Sequence, residues 1–215
     1  MGADMPSESI EQGGGVQQAV DEPPSSGARR AAREGPSAPP DEAEIQSLLA
    51  RGEARRAIAG CARVMGPSVG RLCFAMLGDQ AEADEALQES LLAAYDAAAS
   101  FRGEGSVRAW VYGIARRTCA RRLEIRARQA RRRTLLRAGD GPEPPVDQRL
   151  DEAQRGAAVR RALDALRPTE REAVLLRYES ELSFREVASA CGIAEEAARQ
   201  RVSRALAKLR EKLST

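Results

Sequence analysis

The feature that most restricts the fold is a short segment, residues 183–209, in which two helix signals are joined by one glycine. Ser183 and Glu186 have the spacing of a capping box, in which each side chain accepts a hydrogen bond from the other residue's backbone amide. Gly192 follows where a left-handed residue would end that helix. A second helix is predicted from about Ala194. Two helices joined by a tight glycine turn are typical of a helix-turn-helix.

The second predicted helix has an apolar face and a basic face. Ala198, Val202 and Ala205 recur at helical spacing and predict the buried side, which continues to Leu209. The second helix of a helix-turn-helix enters the major groove, so basic residues on its outer side predict contacts with DNA phosphates. The alternative is an amphipathic helical hairpin with a solvated basic face. The basic residues are Arg199, Arg201, Arg204, Lys208 and Arg210.

The rest of the chain divides at two breaks in composition. Residues 1–40 hold six Gly, six Pro and five Ser, and this composition predicts a disordered tail. Ala and Leu then recur with helical spacing over 41–137, which predicts a first helical domain. Glycines and prolines interrupt the pattern and predict a flexible linker at 138–152, before a second helical domain at 153–215. Period-two alternation is missing, so we predict an all-α fold of two small helical domains.

Charge is balanced over the whole chain but unevenly distributed. The formal net charge is only +2. Residues 41–100 carry ten acids and five Arg, whereas residues 102–137 carry twelve Arg and two acids. A local basic block of this kind indicates a surface for nucleic acid.

An acidic helix precedes this basic block. The helical pattern of residues 81–100 predicts that Leu87, Leu91 and Tyr95 face inward. Polar side chains cluster on the adjoining surface, and such a cluster alone is usually a solvated face. The clustered residues are Glu85, Gln88 and Glu89.

The basic block itself combines an aromatic residue with arginines. The glycine-containing turn 101–106 ends at Ser106, which is placed to cap the next helix. Trp110 lies in that helix among several Arg residues. Proteins that bind single-stranded nucleic acid use this combination, because bases stack on aromatic rings while guanidinium groups contact the phosphates. A lone Trp in a helical domain is also a common core residue, and both interpretations of Trp110 stay open.

The sequence offers no candidate residues for several kinds of catalytic and metal-binding site. There is no His, which removes histidine bases and most catalytic zinc sites. Cys61, Cys73, Cys119 and Cys191 form no C-x-x-C pair, so we expect reduced thiols, no metal site and no cofactor. No catalytic residue is predicted. No run approaches eighteen apolar residues and no basic leader precedes an apolar core, so we expect a cytoplasmic protein without membrane insertion.

Two sets of segments together resemble a known family. Residues 82–91 and 101–116 are similar to conserved region two of the extracytoplasmic-function group of sigma-70-type sigma factors. Residues 166–178 and 182–188, together with the helix-turn-helix that continues to 209, are similar to region four. The resemblance implies a region 2 bundle and a region 4 helix-turn-helix domain. It also implies an alternative sigma factor, which is not an enzyme and which directs core RNA polymerase to chosen promoters.

The resemblance also implies partners and site residues. Core polymerase would bind through the clamp helices and flap of its large subunits, with Glu85, Gln88 and Glu89 at the clamp. Many relatives are held inactive by an anti-sigma factor, and one is expected here. The residues implied for the minus-ten element are Phe101, Arg102, Ser106, Arg108, Trp110, Arg116, Arg117, Arg121 and Arg122. Those implied for the minus-thirty-five element are Glu195, Glu196, Arg199, Gln200, Arg201, Arg204 and Lys208.

Some positions depart from the family pattern. Arg117 stands where the family commonly has Asn, and Arg121 where it has an acid, so the minus-ten preference cannot be carried over. The adjacent acids Glu195 and Glu196 could accept hydrogen bonds from cytosine amino groups or could favour the helix N-terminus electrostatically.

Two other functions remain compatible with parts of the sequence. One is a stand-alone helix-turn-helix regulator that binds duplex DNA without polymerase, but it leaves the acidic cluster and the Trp110 helix unused. The other is a helical enzyme acting on nucleic acid. It would need a metal-binding set of carboxylates, or a nucleophile with a base, and the sequence shows neither in a recognisable catalytic arrangement.

Overall fold

The computed structural model describes residues 41–136 and 152–214, and over these ranges the chain is helical without strands. The predicted tail and most of the predicted linker lie outside the described residues. The all-α class is confirmed. The α-helices are α1 (Glu42–Ala50), α2 (Ala54–Leu77), α3 (Gln80–Ala97), α4 (Val107–Leu136), α5 (Glu152–Asp164), α6 (Pro168–Tyr178), α7 (Phe184–Cys191) and α8 (Glu195–Leu213), with a 3-10 turn at Ala98–Ser100.

Local caps set the ends of the first helices. The Asp41 carboxylate accepts from the amide of Glu44 at 2.7 Å and begins α1, while Asp79 accepts from the amide of Glu82 at 2.9 Å and begins α3. Between them α2 ends at Gly78, whose φ of 78° is a left-handed conformation. The helices α2, α3 and α4 pack on one another, and their shared core fixes the position of the basic helix α4.

The inward face of α3 differs from the prediction. The buried residues are Ala83, Ala86, Ser90 and Ala94, whereas Tyr95 is 49% exposed. Leu87 and Leu91 are only partly buried at the edge of the core. Small side chains let α3 lie close to α2 and α4, and this close approach leaves the larger side chains at the margins.

The helix-turn-helix is confirmed in its details. Ser183 and Glu186 form the predicted capping box at the start of α7. Gly192 ends α7 with φ 65° and ψ 41°, in the left-handed region. Ala198, Val202 and Ala205 of α8 are buried and Leu209 is partly buried, as the helical spacing predicts.

Candidate nucleic-acid interface

A small pocket lies at the start of α4. It has a volume of about 220 Å³ and is lined by Phe101, Trp110 and Arg117 among others. The ring centroids of Phe101 and Trp110 are 5.1 Å apart with planes tilted by 50°, a common aromatic pairing. Trp110 is half-buried, so the ring packs on Phe101 and also lines the pocket. Trp110 therefore packs on the core and also borders an open pocket, and its role in base stacking stays a prediction.

The turn before α4 shapes one side of this pocket. Gly103 and Gly105 have φ values of 72° and 94°, which side chains rarely permit. Ser106 caps α4 as predicted, because its hydroxyl accepts from the amide of Ala109 at 3.0 Å. The turn thus carries Phe101 back against the first turns of the helix.

An ion-pair ladder joins the acidic helix α3 to the arginines of α4. Arg122 contacts Glu85 at 3.0 Å and Glu89 at 3.1 Å, and Arg121 lies 3.7 Å from Glu89. The next rung joins Arg126 of α4 to α3 through a carboxylate at 3.0 Å. The acids expected to contact polymerase and two arginines expected to contact DNA therefore pair with each other. Gln88 stays exposed beside the ladder.

The helices form two groups, α1 to α4 and α5 to α8. Two other arginines of the minus-ten set, both on α4, reach the second group. Arg116 contacts the carboxylate of Glu172 at 2.8 Å, and both side chains are largely buried. Arg108 donates to the backbone carbonyl of Ser180. Neither residue was predicted to bind within the chain.

Arg102 and Arg117 are the arginines of this set that stand exposed beside the pocket. Partial burial and the nearby charge of Arg116 lower the pKa of Arg117 from its ordinary value. The Arg117 side chain stays positively charged, and its exposed position leaves it open to a phosphate.

The start of the recognition helix α8 is ordered by side-chain contacts. Arg199 pairs with Glu195 at 2.5 Å, and its guanidinium lies 4.6 Å from the centroid of the Phe184 ring. Gln200 accepts from Arg204 at 3.3 Å, one turn further along. Glu196 is exposed and Arg201 is half-exposed.

Lys208, which was expected to contact a DNA phosphate, pairs with a carboxylate of the chain in this structure. Its amino group donates to both carboxylate oxygens of Glu170, at 2.7 and 2.9 Å. Glu170 is only 4% exposed, and a buried carboxylate requires a partner of this kind. Lys208 therefore stabilises the second group of helices in this structure.

Sequence reasoning missed several residues that bind α4 from the second group of helices, among them Glu172, Ser180 and Glu186. One signal was available, because Glu172 immediately precedes the apolar run 173–176 and a charge beside a buried face needs a partner. The sequence did not indicate that the partner lies 56 residues earlier, on α4.

Other chemistry is limited in the described part of the chain. No group of His, Cys, Asp or Glu there could hold a metal ion. The four cysteines form no disulfide, and burial raises the pKa of the Cys61 thiol to about 11. Within the same ranges, none of the helices has the length and apolar character needed to cross a bilayer.

Comparison with known proteins matches both groups of helices to one family. The sigma-70 region 2 family matches residues 62–132, and the sigma-70 region 4 family matches residues 156–209. The ECF RNA polymerase sigma factor SigM of Mycobacterium tuberculosis is 33% identical over 128 residues, which are 60% of this chain and 62% of SigM. The chain thus spans less than two thirds of that relative.

A second relative is covered more fully. The probable RNA polymerase sigma-C factor of Mycobacterium bovis is 33% identical over 135 residues, which are 61% of this chain and 70% of that protein. The sigma factor RpoE of Bartonella quintana, solved with the anti-sigma factor NepR, aligns with a TM-score of 0.56 and 23% identity over 72% of this chain and 94% of that one. The chain therefore belongs to the extracytoplasmic-function group of the sigma-70 family.

Proposed function

We propose that this chain is an alternative sigma factor that binds core RNA polymerase and directs transcription from chosen promoters. The observation that carries the proposal is the pocket formed by Phe101 and Trp110, with the exposed Arg117 at its side. An aromatic wall beside an open guanidinium suits an unpaired base and its phosphate. The chain also carries a helix-turn-helix with an ordered recognition helix, which suits duplex DNA.

The two activities would be divided between two domains. Residues 41–137 would bind polymerase and open the minus-ten element, and residues 153–215 would read the minus-thirty-five element, with 138–152 as the linker. In the second domain Arg199 is held by Glu195 near the start of α8, which supports a direct contact with base edges. Arg201 and Arg204 would bind phosphates.

Polymerase would bind on the acidic side of α3. Gln88 is exposed, and the Glu85 side chain keeps 68% of its surface accessible despite its ion pair with Arg122. A basic partner surface could therefore reach these groups. The exposed ion pairs cost little to rearrange, because solvent-accessible pairs contribute about 0–1 kcal/mol each.

The remaining features of the proposal follow from the same division. The chain would act without catalysis, since polymerase performs the chemistry. It would work in the cytoplasm, where polymerase and promoter DNA are found. An anti-sigma factor is a further proposed partner, because RpoE of Bartonella quintana was solved in complex with NepR.

The test is selection from a pool of randomised duplex DNA, with and without core polymerase. The proposal expects one enriched bipartite sequence when polymerase is present and little enrichment by the chain alone. An Arg199→Ala variant should relax selection at the upstream element only, and a Trp110→Ala variant at the downstream element only. Equal enrichment by the chain alone would instead favour a stand-alone helix-turn-helix regulator.

A further inference from the structure

We propose that Arg128 and Arg132, near the end of α4, bind the phosphates of duplex DNA about one turn of the double helix away from the base pocket. This contact would lie on the DNA between the two promoter elements and would not depend on its sequence. The inference rests on the proposed function, because that function assigns the start of α4 to the minus-ten element. Neither arginine is among the residues expected at that element.

The spacing of residues along α4 is the first observation. Trp110, Arg117, Arg121, Arg128 and Arg132 follow one another at intervals of 7, 4, 7 and 4 residues. At roughly 100° per residue, these intervals keep the five side chains within about 60° of one another around the helix axis. They therefore form a single stripe, which we call the α4 stripe. It begins at the pocket and runs towards the C-terminal end of the helix.

The α4 stripe is separate from most of the ion-pair ladder. Arg122 and Arg126, which form rungs of the ladder with α3, lie on another side of the helix. Arg117 is exposed, and the Arg121 side chain keeps 72% of its surface accessible despite its contact with Glu89. The guanidinium groups of the stripe are therefore open to a further partner.

The end of the helix carries charge that the chain does not balance. Residues 125–133 hold five Arg and no acid, and all of these residues are exposed. Arg128 donates to the backbone carbonyl of Glu124 at 3.4 Å, and among the described residues no carboxylate pairs with Arg128 or Arg132. Like charges one helical turn apart repel each other. A polyanion bound along the stripe would remove this repulsion.

The same segment is poorly suited to a protein partner. Leu123 is the last residue of α4 that packs against the core, yet the helix runs on to Leu136. Alanine and arginine both favour helix, so the segment stays helical without a core to pack on. Among the described side chains of residues 124–133, Ile125 is the one large apolar group. A protein interface needs an apolar centre, whereas nucleic acid needs the exposed guanidinium groups that are present.

The length of the stripe matches the repeat of duplex DNA. Trp110 and Arg132 are 22 residues apart, which is about 33 Å along a helix that rises roughly 1.5 Å per residue. One turn of the double helix is about 34 Å long. A duplex lying along the stripe would therefore meet Arg128 and Arg132 about one turn from a base held at Trp110. Towards the minus-thirty-five element, which α8 is expected to read as duplex, the double helix is the form of DNA available.

The first experiment uses the full-length chain without polymerase and a duplex of mixed sequence. The test variant is Arg128→Gln with Arg132→Gln. The matched control, Arg55→Gln with Arg63→Gln, removes the same charge from two exposed arginines of α2. Circular dichroism checks that the helix content is unchanged, and the affinity for the duplex is measured over a range of salt concentrations.

The salt dependence of the affinity counts the phosphates that the chain neutralises. The logarithm of the affinity falls as the logarithm of the salt concentration rises, with a slope of about 0.9 for each phosphate. The test variant should reduce that slope by about 1.8, and by the same amount for duplexes of different sequence. The control should keep the wild-type slope. An unchanged slope in the test variant, or an equal loss in the control, would overturn the inference.

Single-stranded RNA of the same length is measured alongside, because its phosphates are an alternative partner for the stripe. We expect the two substitutions to weaken duplex binding more than RNA binding. A larger loss for RNA would assign the stripe to RNA and would overturn the assignment to duplex DNA.

The second experiment locates the contact. Core polymerase with the wild type or the test variant is bound to the bipartite duplex obtained by selection, and hydroxyl radicals map the protected backbone. The test variant should lose protection about one turn from the opened base and keep it at both elements. Protection that is unchanged there contradicts the inference, as does protection that is also lost at the minus-ten element.

Failure of the proposed function can be recognised separately. It would appear as the absence of any enriched bipartite duplex for the wild type with core polymerase. The salt slopes need no polymerase, so in that case they alone decide whether Arg128 and Arg132 bind duplex DNA.

Discussion

At the scale of single residues, Glu170 combines two structural duties. Its carboxylate accepts from the amide of Arg167 at 3.3 Å, which caps α6, and from the amino group of Lys208 of α8. The hydrogen bond and charge of Lys208 outweigh burial and lower the pKa of Glu170 from its ordinary value. A carboxylate whose pKa is lower in the folded chain stabilises the fold above its unfolded pKa and loses that contribution as the pH falls.

Replacing Glu170 with Gln separates the two duties, since an amide oxygen can still cap the helix but carries no negative charge to pair with Lys208. We expect Glu170→Gln to lower the free energy of unfolding by about 1–3 kcal/mol at neutral pH. The difference from the wild type should shrink as the pH falls below the ordinary carboxylate pKa towards the lowered pKa of Glu170. Urea denaturation at several pH values measures this, with exposed Glu181→Gln as the control. A difference that does not change with pH would show that the ion pair contributes nothing.

At the scale of helices, two glycines have opposite effects. Gly192 ends α7 with a φ of 65°, a conformation that costs any side chain free energy. Gly156 instead lies within α5, where an added Cβ would meet no atom within 4 Å. Gly192 is therefore required by the turn, whereas Gly156 weakens its helix.

We expect Gly192→Ala to destabilise the chain by about 1–2 kcal/mol, because alanine disfavours the left-handed region. Gly156→Ala should stabilise it by about 0.5–1 kcal/mol, because alanine has the higher helix propensity. Thermal unfolding of both variants checks the pair, since one acts as the control for the other. Equal effects of the two substitutions would be incompatible with the turn geometry.

The sequence allowed the helix ends to be predicted better than the helix faces. Ser183 and Gly192 act through neighbouring backbone groups, so their roles can be derived from spacing alone. The inward face of α3 depends on how closely its partners approach, and the prediction for Tyr95 was wrong for that reason. Local signals therefore located the elements, while packing decided which side chains they bury.

At the scale of the whole molecule, the ion pairs between distant residues are the feature of the site that the sequence could not predict. The sequence separated an acidic helix from a basic one, but it did not show that Arg122 binds Glu85 and Glu89. It also did not show that Arg116 reaches Glu172 across the predicted linker. These pairs need the tertiary arrangement, because their members are 33–56 residues apart in the chain.

The central claim is that the chain confers promoter-specific transcription on core polymerase, and run-off transcription from a promoter library tests it most directly. The wild type should give promoter-specific transcripts, and the triple variant Glu85→Ala, Gln88→Ala, Glu89→Ala should lose them. Glu82→Ala breaks a rung of the same ladder outside the expected polymerase surface and should keep them. No transcript from the wild type, together with sequence-specific duplex binding by the chain alone, would contradict the account.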